Sequence, residues 1–364
     1  MVSIGVGAPL SGRANALGAE MKHAVEMAVD DWNHERGIGG APVTMVAVDD
    51  EGNAGKAIEA ARYLAGKPDV LGVVGHYHCD ATLAAALVYE DARMPMITPV
   101  TSHPAVTDRG TPCVFRFANR DDVTGRAIAH YLVEVLGKRR AVVVEADTMG
   151  GKSLGGEFSA AFMAFGGRLA FYRPVSEDER DFDQLISVLP DDFDVLFYAG
   201  AFGGAAILRA LRTAGLDQLF AAGDGCWDLA HFVQPAGGAA AAGEGVLVLS
   251  TTPEIGSVAG SREFSRRFEQ RYGRIGNYAV NSYDTARILL EAIARAARDG
   301  VLDRESVCSA VRTTSFQGIA YPHPVQWDDK GDNRATLTAL HVVDHGRFRE
   351  VAEIGRDEHV ASRM

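Results

Sequence analysis

The chain has 364 residues, of which 47% are hydrophobic and 23% are charged. This composition is typical of a folded globular protein and excludes a disordered tail or a collagen-like repeat. Acidic residues outnumber basic ones by 48 to 36, so the formal net charge is -12 and neither nucleic acid nor an anionic lipid surface is a favoured partner. No stretch reaches the ~18–20 apolar residues of a membrane-spanning helix, so we predict no insertion into a membrane.

At ~100–200 residues per domain, the length predicts two domains. The cysteines are far apart and form no CxxC pair; they are Cys79, Cys113, Cys226 and Cys308. They predict neither a disulfide scaffold nor a zinc ribbon, and they leave the redox compartment open. An apparent strand follows Met1 directly, with no basic or apolar leader before it, which is expected of a cytoplasmic protein or of one whose leader has been removed.

Short apolar runs alternate with amphipathic segments along most of the chain. The runs are Ser3–Gly7, Val43–Val48, Val70–Val74, Arg140–Val144, Asp194–Tyr198 and Gly245–Leu249. Between them, segments such as Gly18–Arg36 repeat apolar residues every three or four positions, which predicts helices. Near-continuous apolar strands separated by helices predict buried parallel sheets in a doubly wound α/β fold.

This alternation occurs twice, over residues 3–117 and 140–250, with the predicted helix Asp122–Gly137 between the two runs. Two further helices, Ser261–Arg271 and Asn281–Asp299, follow. The tail Val325–Val351 is predicted as strands with a turn at 344–346. The one low-complexity stretch is an Ala/Gly loop, Gly237–Gly243. The simplest interpretation is two similar α/β lobes with a cleft between them.

Two glycine motifs resemble nucleotide-binding loops but lack required residues. Gly151–Ser153 has the ending of a phosphate-binding loop, which needs a glycine five residues before Gly151, where Ala146 stands. Gly5–Gly7 opens the first strand-to-helix turn, but the third glycine of the dinucleotide motif would fall on Leu10, and Pro9 precedes it. We therefore predict neither an NTPase nor a dehydrogenase, and no cofactor.

The segment His76–Asp80 carries several potential metal ligands and a cysteine beside histidines. Adjacent residues at a strand end point to opposite sides, so at most two of them could meet one ion, and a polar loop after Val70–Val74 is the favoured interpretation. A nucleophilic Cys79–His pair lacks an identifiable orienting acid, and the chain has no GxSxG elbow. We predict no metal site and no catalytic residue, and hence a protein that is not an enzyme.

Polar loops follow the predicted strands in both halves of the chain. They are Ala8–Gly18, Gly75–Thr82, Thr98–His103, Asn119–Asp122, Thr148–Ser153, Gly200–Gly204 and Gly223–Asp228. Ligands of open α/β sheets bind at the carboxyl ends of the strands. The loops offer hydroxyls, backbone N–H groups at helix starts and the carboxylates of Asp121 and Asp224, which suits a zwitterion with one carboxylate and one ammonium.

A set of short motifs occurs in a characteristic order. They are Gly7–Gly12 with Gly18, Val48–Asp50, Val73–His76, Tyr89–Asp91, Met96–Pro99, Arg109–Gly110, Phe115–Phe117, Tyr283–Asp284 and Trp327–Gly331. With these motifs the chain resembles, over nearly its whole length, the periplasmic solute-binding proteins of ABC transporters, in particular the leucine/isoleucine/valine-binding type. The disulfide common in the first lobe of that family is absent, because Asn53 and His78 stand where its cysteines are expected.

The resemblance implies two α/β lobes joined by a three-strand hinge that close on the ligand. The crossing strands are expected near residues 118–121, 247–252 and 327–331. Lobe 1 then comprises residues 1–118 and 250–327, and lobe 2 comprises residues 119–249 and 328–364.

In lobe 1 the resemblance implies three residues at the ligand's polar head group. Cys79 stands where a serine typically binds the ligand carboxylate, and backbone N–H groups near Asp80–Thr82 remain available although a thiol is a weaker donor than a hydroxyl. Val100 offers its backbone carbonyl, and Ser102 replaces the usual threonine, so both can receive the ammonium. The alternative for Cys79 is a small buried apolar side chain.

In lobe 2 the resemblance implies two acids. Asp121 matches the family's acid, and Asp224 stands where leucine-binding members have a glutamate. Each has a structural alternative: Asp121 as the cap of a helix that begins at Asp122, and Asp224 as a turn residue between two glycines.

The wall around the ligand's side chain departs further from the family. Leu17 and Gly150 replace expected aromatic residues, and Phe202 lies near the position of another tyrosine. Tyr278 replaces an aromatic residue of the same region, with a place in the core as its alternative, and Tyr77 adds a ring that amide-binding relatives also carry. The resemblance therefore implies an amino-acid-like head group with an altered side-chain pocket.

We expect an extracytoplasmic, periplasmic binding protein that acts as a monomer and delivers a small ligand to the permease subunits of an ABC importer. The expected ligand is a branched-chain, larger hydrophobic or aromatic amino acid, or a related small carboxylate. The alternative is a cytoplasmic ligand sensor of the amide-binding regulator type on the same fold. A leader in the native gene would distinguish the two.

Overall fold

A computed structural model describes residues 2–35, 37–228, 232–237, 246–355 and 361–362. The chain forms two compact units: unit 1 is Met1–Asn119 with Pro253–Thr336, and unit 2 is Arg120–Thr252 with Leu337–Met364. The low-complexity loop expected at Gly237–Gly243 lies, apart from its first residue, outside the described part of the chain.

Strands and helices alternate through both units. The strands are β1 Val2–Ala8, β2 Val43–Asp49, β3 Val70–Gly75, β4 Met96–Thr98, β5 Val114–Arg116, β6 Arg140–Ala146, β7 Arg168–Val175, β8 Val195–Ala199, β9 Leu219–Ala222, β10 Val246–Ser250, β11 Leu337–Asp344, β12 Arg347–Gly355 and β13 Ala361–Ser362. The helices are α1 Asn15–Glu35, α2 Ala54–Ala65, α3 Cys79–Asp91, α4 Ala105–Asp108, α5 Asp121–His130, α6 Met149–Ala164, α7 Asp183–Ser187, α8 Gly204–Thr213, α9 Ser261–Tyr272, α10 Ala279–Arg298 and α11 Arg304–Arg312. Among these helices, none is both long enough and apolar enough to cross a membrane.

Unit 1 is built on a five-stranded sheet with the order β2-β1-β3-β4-β5, and all its pairings are parallel. Strand β3 is buried along its whole length, as the continuous apolar run predicts, and its core partners include Leu64, Ala85 and Tyr89 from α2 and α3. Helix α2 begins at a conventional cap, since the Asn53 side chain accepts the N–H groups of Gly55 and Lys56.

Unit 2 contains an eight-stranded sheet with the order β13-β12-β11-β10-β9-β8-β6-β7. Strands β6 to β10 pair in parallel, whereas β11, β12 and β13 extend the sheet in antiparallel fashion. The predicted turn at residues 344–346 is confirmed, with His345 and Gly346 both at positive φ between β11 and β12. The predicted fold class, two doubly wound parallel sheets, is confirmed.

The prediction that Val325–Val351 forms strands is wrong for the first part of this segment. Residues 325–336 form only isolated bridges, such as Phe316 with Val325 and Arg116 with Asp332, instead of a regular strand. Because this segment pairs with the end of β5, it belongs to unit 1, which extends to Thr336, whereas the expected boundary lay after residue 327. The short strands β4 and β5 were not predicted, and neither were β7 and β9.

A disulfide joins Cys113, the residue before β5, to Cys308 in α11, with 5.2 Å between the two Cα atoms. The two cysteines are 195 residues apart, so their spacing gave no sign of the bond. Cys79 and Cys226 do not take part in it. Within unit 1 the bond fastens α11 to the sheet through a residue next to β5.

A buried acid fastens another loop of unit 1. Asp284 in α10 is 1% exposed, and its Oδ2 accepts the N–H groups of Ile319 at 2.8 Å and Ala320 at 2.7 Å. A Cβ at Gly318 would lie 2.1 Å from the same oxygen, so glycine is required there. Burial raises the pKa of Asp284 to about 7, because the surrounding apolar core disfavours the ionised carboxylate.

We expect reduction of the disulfide to lower the thermal stability of the protein. Removing a bond that closes a long loop typically costs about 2–5 kcal/mol, so dithiothreitol should lower the unfolding temperature by roughly 5 °C or more. Differential scanning calorimetry of the wild type, Cys308→Ser and Cys79→Ser tests this. Cys79→Ser should keep the response to reductant and Cys308→Ser should lose it; an equal response in all three would contradict the assignment.

We expect the stability of unit 1 to fall as the pH rises from about 4 to about 7. The pKa of Asp284 is higher in the folded chain than in the unfolded chain, so its contribution is fully present at low pH and is lost as the pH rises through about 7. Asp284→Asn keeps an oxygen acceptor for both N–H groups and does not ionise. Its urea unfolding should therefore depend less on pH in this window than that of the wild type.

The matched control is Asp299→Asn, an exposed aspartate at the C-cap of the same helix. This variant should keep the pH dependence of the wild type. A wild-type unfolding curve that does not change between pH 4 and 7 would contradict the role of Asp284.

Candidate ligand-binding site

Each unit contains one position in its sheet where successive connections turn to opposite sides. In unit 1 it lies between β1 and β3, and in unit 2, where β7-β6-β8-β9-β10 repeats the same order, it lies between β6 and β8. Open α/β sheets bind ligands outside the carboxyl ends of the strands at such a point. The residues that the sequence singles out follow these strands: Leu17 follows β1, Tyr77 and Cys79 follow β3, Gly150 follows β6 and Phe202 follows β8.

The strand next to each of these positions also ends in a loop with predicted residues. Val100 and Ser102 follow β4 in unit 1, and Asp224 follows β9 in unit 2. The two units therefore present their predicted residues on corresponding loops. Asp121 and Tyr278 differ, since Asp121 is the first residue of α5 and Tyr278 is the residue before α10.

The loop after β3 is fixed by a buried histidine. His76 is fully buried, with Nδ1 2.6 Å from Oδ2 of Asp50 and Nε2 3.2 Å from the hydroxyl of Tyr89. A Cβ at Gly7 would lie 2.3 Å from the His76 ring, which explains the glycine at the end of β1. Burial raises the pKa of Tyr89, so its hydroxyl keeps its proton. His76 points inward to these partners, and the predicted polar loop extends only to His78, because Cys79 and Asp80 belong to α3.

Three buried threonines connect the loops after β3 and β4. Thr82 and Thr101 share a hydrogen bond of 2.7 Å, and the Thr101 hydroxyl lies 3.2 Å from the carbonyl oxygen of Tyr77. Thr98 donates to the carbonyl of His76 at 3.1 Å. These bonds fix the backbone on both sides of Tyr77 and Cys79 relative to the loop that carries Val100 and Ser102.

Cys79 is the first residue of α3 and is half-buried. The N-cap residue, His78, makes no side-chain hydrogen bond to the first turn of the helix, so that turn presents N–H groups suited to an anion. The expectation that Thr82 would contribute its N–H is wrong, because that group donates to the carbonyl of His78 at 2.8 Å. The N–H groups of Asp80 and Ala81 come earlier in the turn.

Two tyrosines of unit 1 lie together. The rings of Tyr77 and Tyr278 meet edge to face with 5.7 Å between centroids, and both side chains are half-buried. The backbone N–H of Tyr278 donates to Oε1 of Glu20 in α1 at 2.9 Å. Leu17 lies one turn before Glu20 and is also half-buried. Tyr278 is therefore not a core residue, and Glu20 holds its backbone next to α1.

In unit 2 the loops after β8 and β9 pack against each other. The hydroxyl of Tyr198 accepts the N–H of Gly203 at 3.0 Å, and the thiol of Cys226 lies 3.8 Å from the carbonyl oxygen of Gly200. Burial raises the pKa of Cys226, so it remains a neutral thiol. These contacts bring the loop of Phe202 next to the loop of Asp224.

The loop of Asp224 is also supported from the antiparallel part of the sheet. The backbone N–H of Trp227 donates to the carbonyl of Asp224 at 2.9 Å. The Trp227 ring stacks on His341 of β11, with 5.2 Å between ring centroids. His341 lies 2.8 Å from the hydroxyl of Ser250, and burial lowers its pKa to about 4, so the ring is neutral near pH 7. Asp224 itself is half-buried.

Asp121 does not occupy the cap position that was its structural alternative. Helix α5 begins at Asp121, and its N-cap residue is Arg120. Arg120 pairs with Asp122 at 2.7 Å, and Asp121 is 3% exposed. Gly150 lies in the first turn of α6, which is capped by the Thr148 hydroxyl accepting the N–H of Gly151 at 3.1 Å.

Among the described residues, no group of three or more His, Cys, Asp or Glu side chains could hold a metal ion. Lys152, which belongs to the incomplete phosphate-loop motif, pairs with Asp147 at 2.6 Å. Within unit 1 and unit 2, the predicted residues offer N–H, carbonyl, hydroxyl and carboxylate groups, which can bind a small polar molecule.

Sequence reasoning missed the residues that support the site from behind. Arg116, Asp332, Asp50 and Glu20 are buried and hold the loops described above or the loop after β4. One signal was present in the sequence. Arg116 is a charged residue inside the apolar run Val114–Phe117, and a charged side chain is almost never fully buried unless it is paired.

The profile of the periplasmic binding protein family matches residues 1–344. The chain belongs to this family. Its relatives and structural neighbours place it with the type I periplasmic binding proteins of the branched-chain amino acid group, as the sequence motifs predict.

Three similar proteins illustrate this membership. An amino acid binding protein of Pseudomonas aeruginosa is 26% identical over 354 residues, which are 96% of this chain and 92% of the relative. The crystal structure of a leucine binding protein from Thermotoga maritima has a TM-score of 0.86 and 26% identity, covering 98% of this chain and 99% of the neighbour. An ABC transporter substrate-binding protein from Desulfitobacterium hafniense in complex with leucine has a TM-score of 0.78 and 25% identity, covering 96% and 99%.

Proposed function

We propose that this periplasmic binding protein is the substrate-binding component of an ABC importer. Its ligand is an amino acid with a branched, larger hydrophobic or aromatic side chain, or a related small carboxylate. Unit 1 supplies groups for the carboxylate at Cys79, and the Val100 carbonyl and the Ser102 hydroxyl for the ammonium. Unit 2 supplies the acids Asp121 and Asp224. The protein acts outside the cytoplasm as a monomer and binds the permease subunits. It catalyses no reaction.

The observation that supports this proposal most directly is the position of the predicted residues. Apart from Asp121 and Tyr278, they follow the two strands at which the connections turn to opposite sides, and the next strand along. Each unit therefore offers loops from three neighbouring strands. The uncapped first turn of α3 supplies N–H groups for a carboxylate. Carboxylates on the loops of unit 2 are suitable acceptors for an ammonium.

The disulfide supports an extracytoplasmic location. Cys113 and Cys308 form a bond within unit 1, and such bonds persist in oxidising compartments but are rare in the cytosol. This favours the importer component over the cytoplasmic sensor. The leucine complex of the Desulfitobacterium hafniense relative supports an amino acid as the ligand.

The wall residues support a side chain at least as large as that of leucine. Leu17 and Gly150 are smaller than the aromatic residues expected at those positions, and the Tyr77–Tyr278 pair offers ring edges and faces to an apolar or aromatic group.

We expect the protein to be stabilised by ligands that combine a carboxylate with a branched or aromatic group. Thermal-shift measurements with L-leucine, L-isoleucine, L-phenylalanine and benzoate test this, because a ligand that binds only the folded state at 100 times its Kd adds about 2.7 kcal/mol. Glycine and L-lysine are the controls for size and charge. Native mass spectrometry of the purified protein would identify a retained ligand. A response to none of the four, or only to glycine, would contradict the proposed ligand class.

We expect Asp224→Ala to weaken the binding of the best amino acid at least about 30-fold, since losing a charge-assisted partner in a binding site typically costs about 2–5 kcal/mol. The matched control is Asp217→Ala, an exposed aspartate near the opposite end of β9. Isothermal titration calorimetry should show wild-type affinity for the control. Unchanged affinity in Asp224→Ala would remove this residue from the site.

A further inference from the structure

A fully buried arginine lies behind the loop that follows β4. Arg116, the last residue of β5, is 0% exposed. Its Nε and Nη2 donate to Oδ1 of Asp332 at 2.9 and 2.6 Å, and Nη2 also donates to the hydroxyl of Thr107. The Thr107 hydroxyl in turn donates to the same Asp332 oxygen at 2.6 Å. The charge of Arg116 is thus compensated inside unit 1.

Two further hydrogen bonds of the Arg116 side chain go to the backbone of the loop. Nη1 donates to the carbonyl of Ser102 at 3.0 Å and to the carbonyl of His103 at 2.6 Å. A guanidinium group is planar and rigid, so two carbonyls bound to one nitrogen are fixed in direction. Because a buried arginine cannot lose these partners without a large penalty, the loop is held strongly in this conformation.

Other buried groups hold the rest of the same loop. Asn281 donates to the carbonyl of Pro99 at 3.3 Å, and the N–H of Thr101 donates to the hydroxyl of Thr98 at 3.2 Å. The hydrogen bonds described for this part of the chain involve neither the carbonyl of Val100 nor the hydroxyl of Ser102. Those are the two groups of this loop that the proposed function assigns to the ligand.

The same arginine also contacts a segment that leads out of unit 1. The backbone N–H of Arg116 donates to the carbonyl of Gly331 at 2.9 Å, and its carbonyl accepts the N–H of Asn333 at 3.1 Å. The chain leaves unit 1 after Asn119 and again after Thr336. Arg116 and Asp332 therefore join the loop after β4 to two of the three segments that connect the units.

We propose that Arg116, Asp332 and Thr107 form a positioning cluster for ligand recognition, an inference that rests on the proposed function. The cluster turns the carbonyls of Ser102 and His103 inward and leaves the Val100 carbonyl and the Ser102 hydroxyl available for the ligand's polar head group. Its loss loosens this loop without removing any group that contacts the ligand.

Substitutions at Thr107 test the cluster without removing the buried charges. Thr107→Val removes the hydroxyl at nearly constant volume, and Thr107→Ser restores it. The matched control is Thr111→Val, a buried threonine of unit 1 whose hydroxyl has no hydrogen-bond partner among the described residues. Asp332→Asn keeps an oxygen for Arg116 but leaves the arginine's charge without a carboxylate.

The first measurement needs no ligand. Hydrogen exchange of a peptide covering residues 99–105 should be at least 10-fold faster in Thr107→Val and Asp332→Asn than in the wild type, with β1 and β3 unchanged. Thr107→Ser and Thr111→Val should exchange like the wild type. A wild-type exchange rate in Thr107→Val would overturn the proposal. If Asp332→Asn does not fold, the exchange rate of Thr107→Val alone decides whether the proposal stands.

The second measurement is calorimetric titration with L-leucine and benzoate. For the ligand that the wild type binds, the affinity of Thr107→Val should be 5- to 50-fold lower than that of the wild type. The affinity of Thr107→Ser should be close to that of the wild type. Equal affinity in Thr107→Val and Thr111→Val would overturn the role in recognition. If the wild type binds neither probe, and neither L-isoleucine nor L-phenylalanine, the proposed ligand class fails. Hydrogen exchange still shows whether the cluster holds the loop.

Discussion

The order of the parallel strands determines where each unit can bind a molecule. In both sheets the first strand of the unit lies inside the sheet, with the second strand on one side and the third on the other. Connections from neighbouring strands therefore diverge, and the carboxyl ends of those strands remain uncovered. Apart from Asp121 and Tyr278, the predicted residues lie on the loops at these ends, where several loops come together at an open edge of the sheet.

Buried polar groups help to hold the loops in these places. His76 with Asp50 holds the end of β3, Arg116 with Asp332 holds the loop after β4, and His341 supports the loop of Asp224 through Trp227. A buried polar group is costly unless all its partners are in place, so each cluster permits one arrangement of its loop. This rigidity behind the surface fixes the groups that we propose for ligand binding.

Much of the fold was predictable because its signals are local. Strands such as β3, β8 and β10 are continuous apolar runs, and the turn at residues 344–346 has its own sequence signature. Strands β4 and β5 have three residues each, which is too few for a period to be visible. The Cys113–Cys308 bond and the pairing of β5 with residues 331–333 join segments about 200 residues apart, and no local pattern encodes such contacts.

The groups of the candidate site are of two kinds: backbone groups, which do not depend on side-chain identity, and side-chain groups, which do. The N–H groups of the first turn of α3 and the carbonyl of Val100 belong to the backbone, so they persist when Cys79 replaces a serine. The proposed wall has no such protection, because a substitution at Leu17 or Gly150 changes the side chain itself. In the proposed function, an amino-acid head group is therefore the common feature of the ligand, whereas the accepted side chain changes with a few substitutions in the wall.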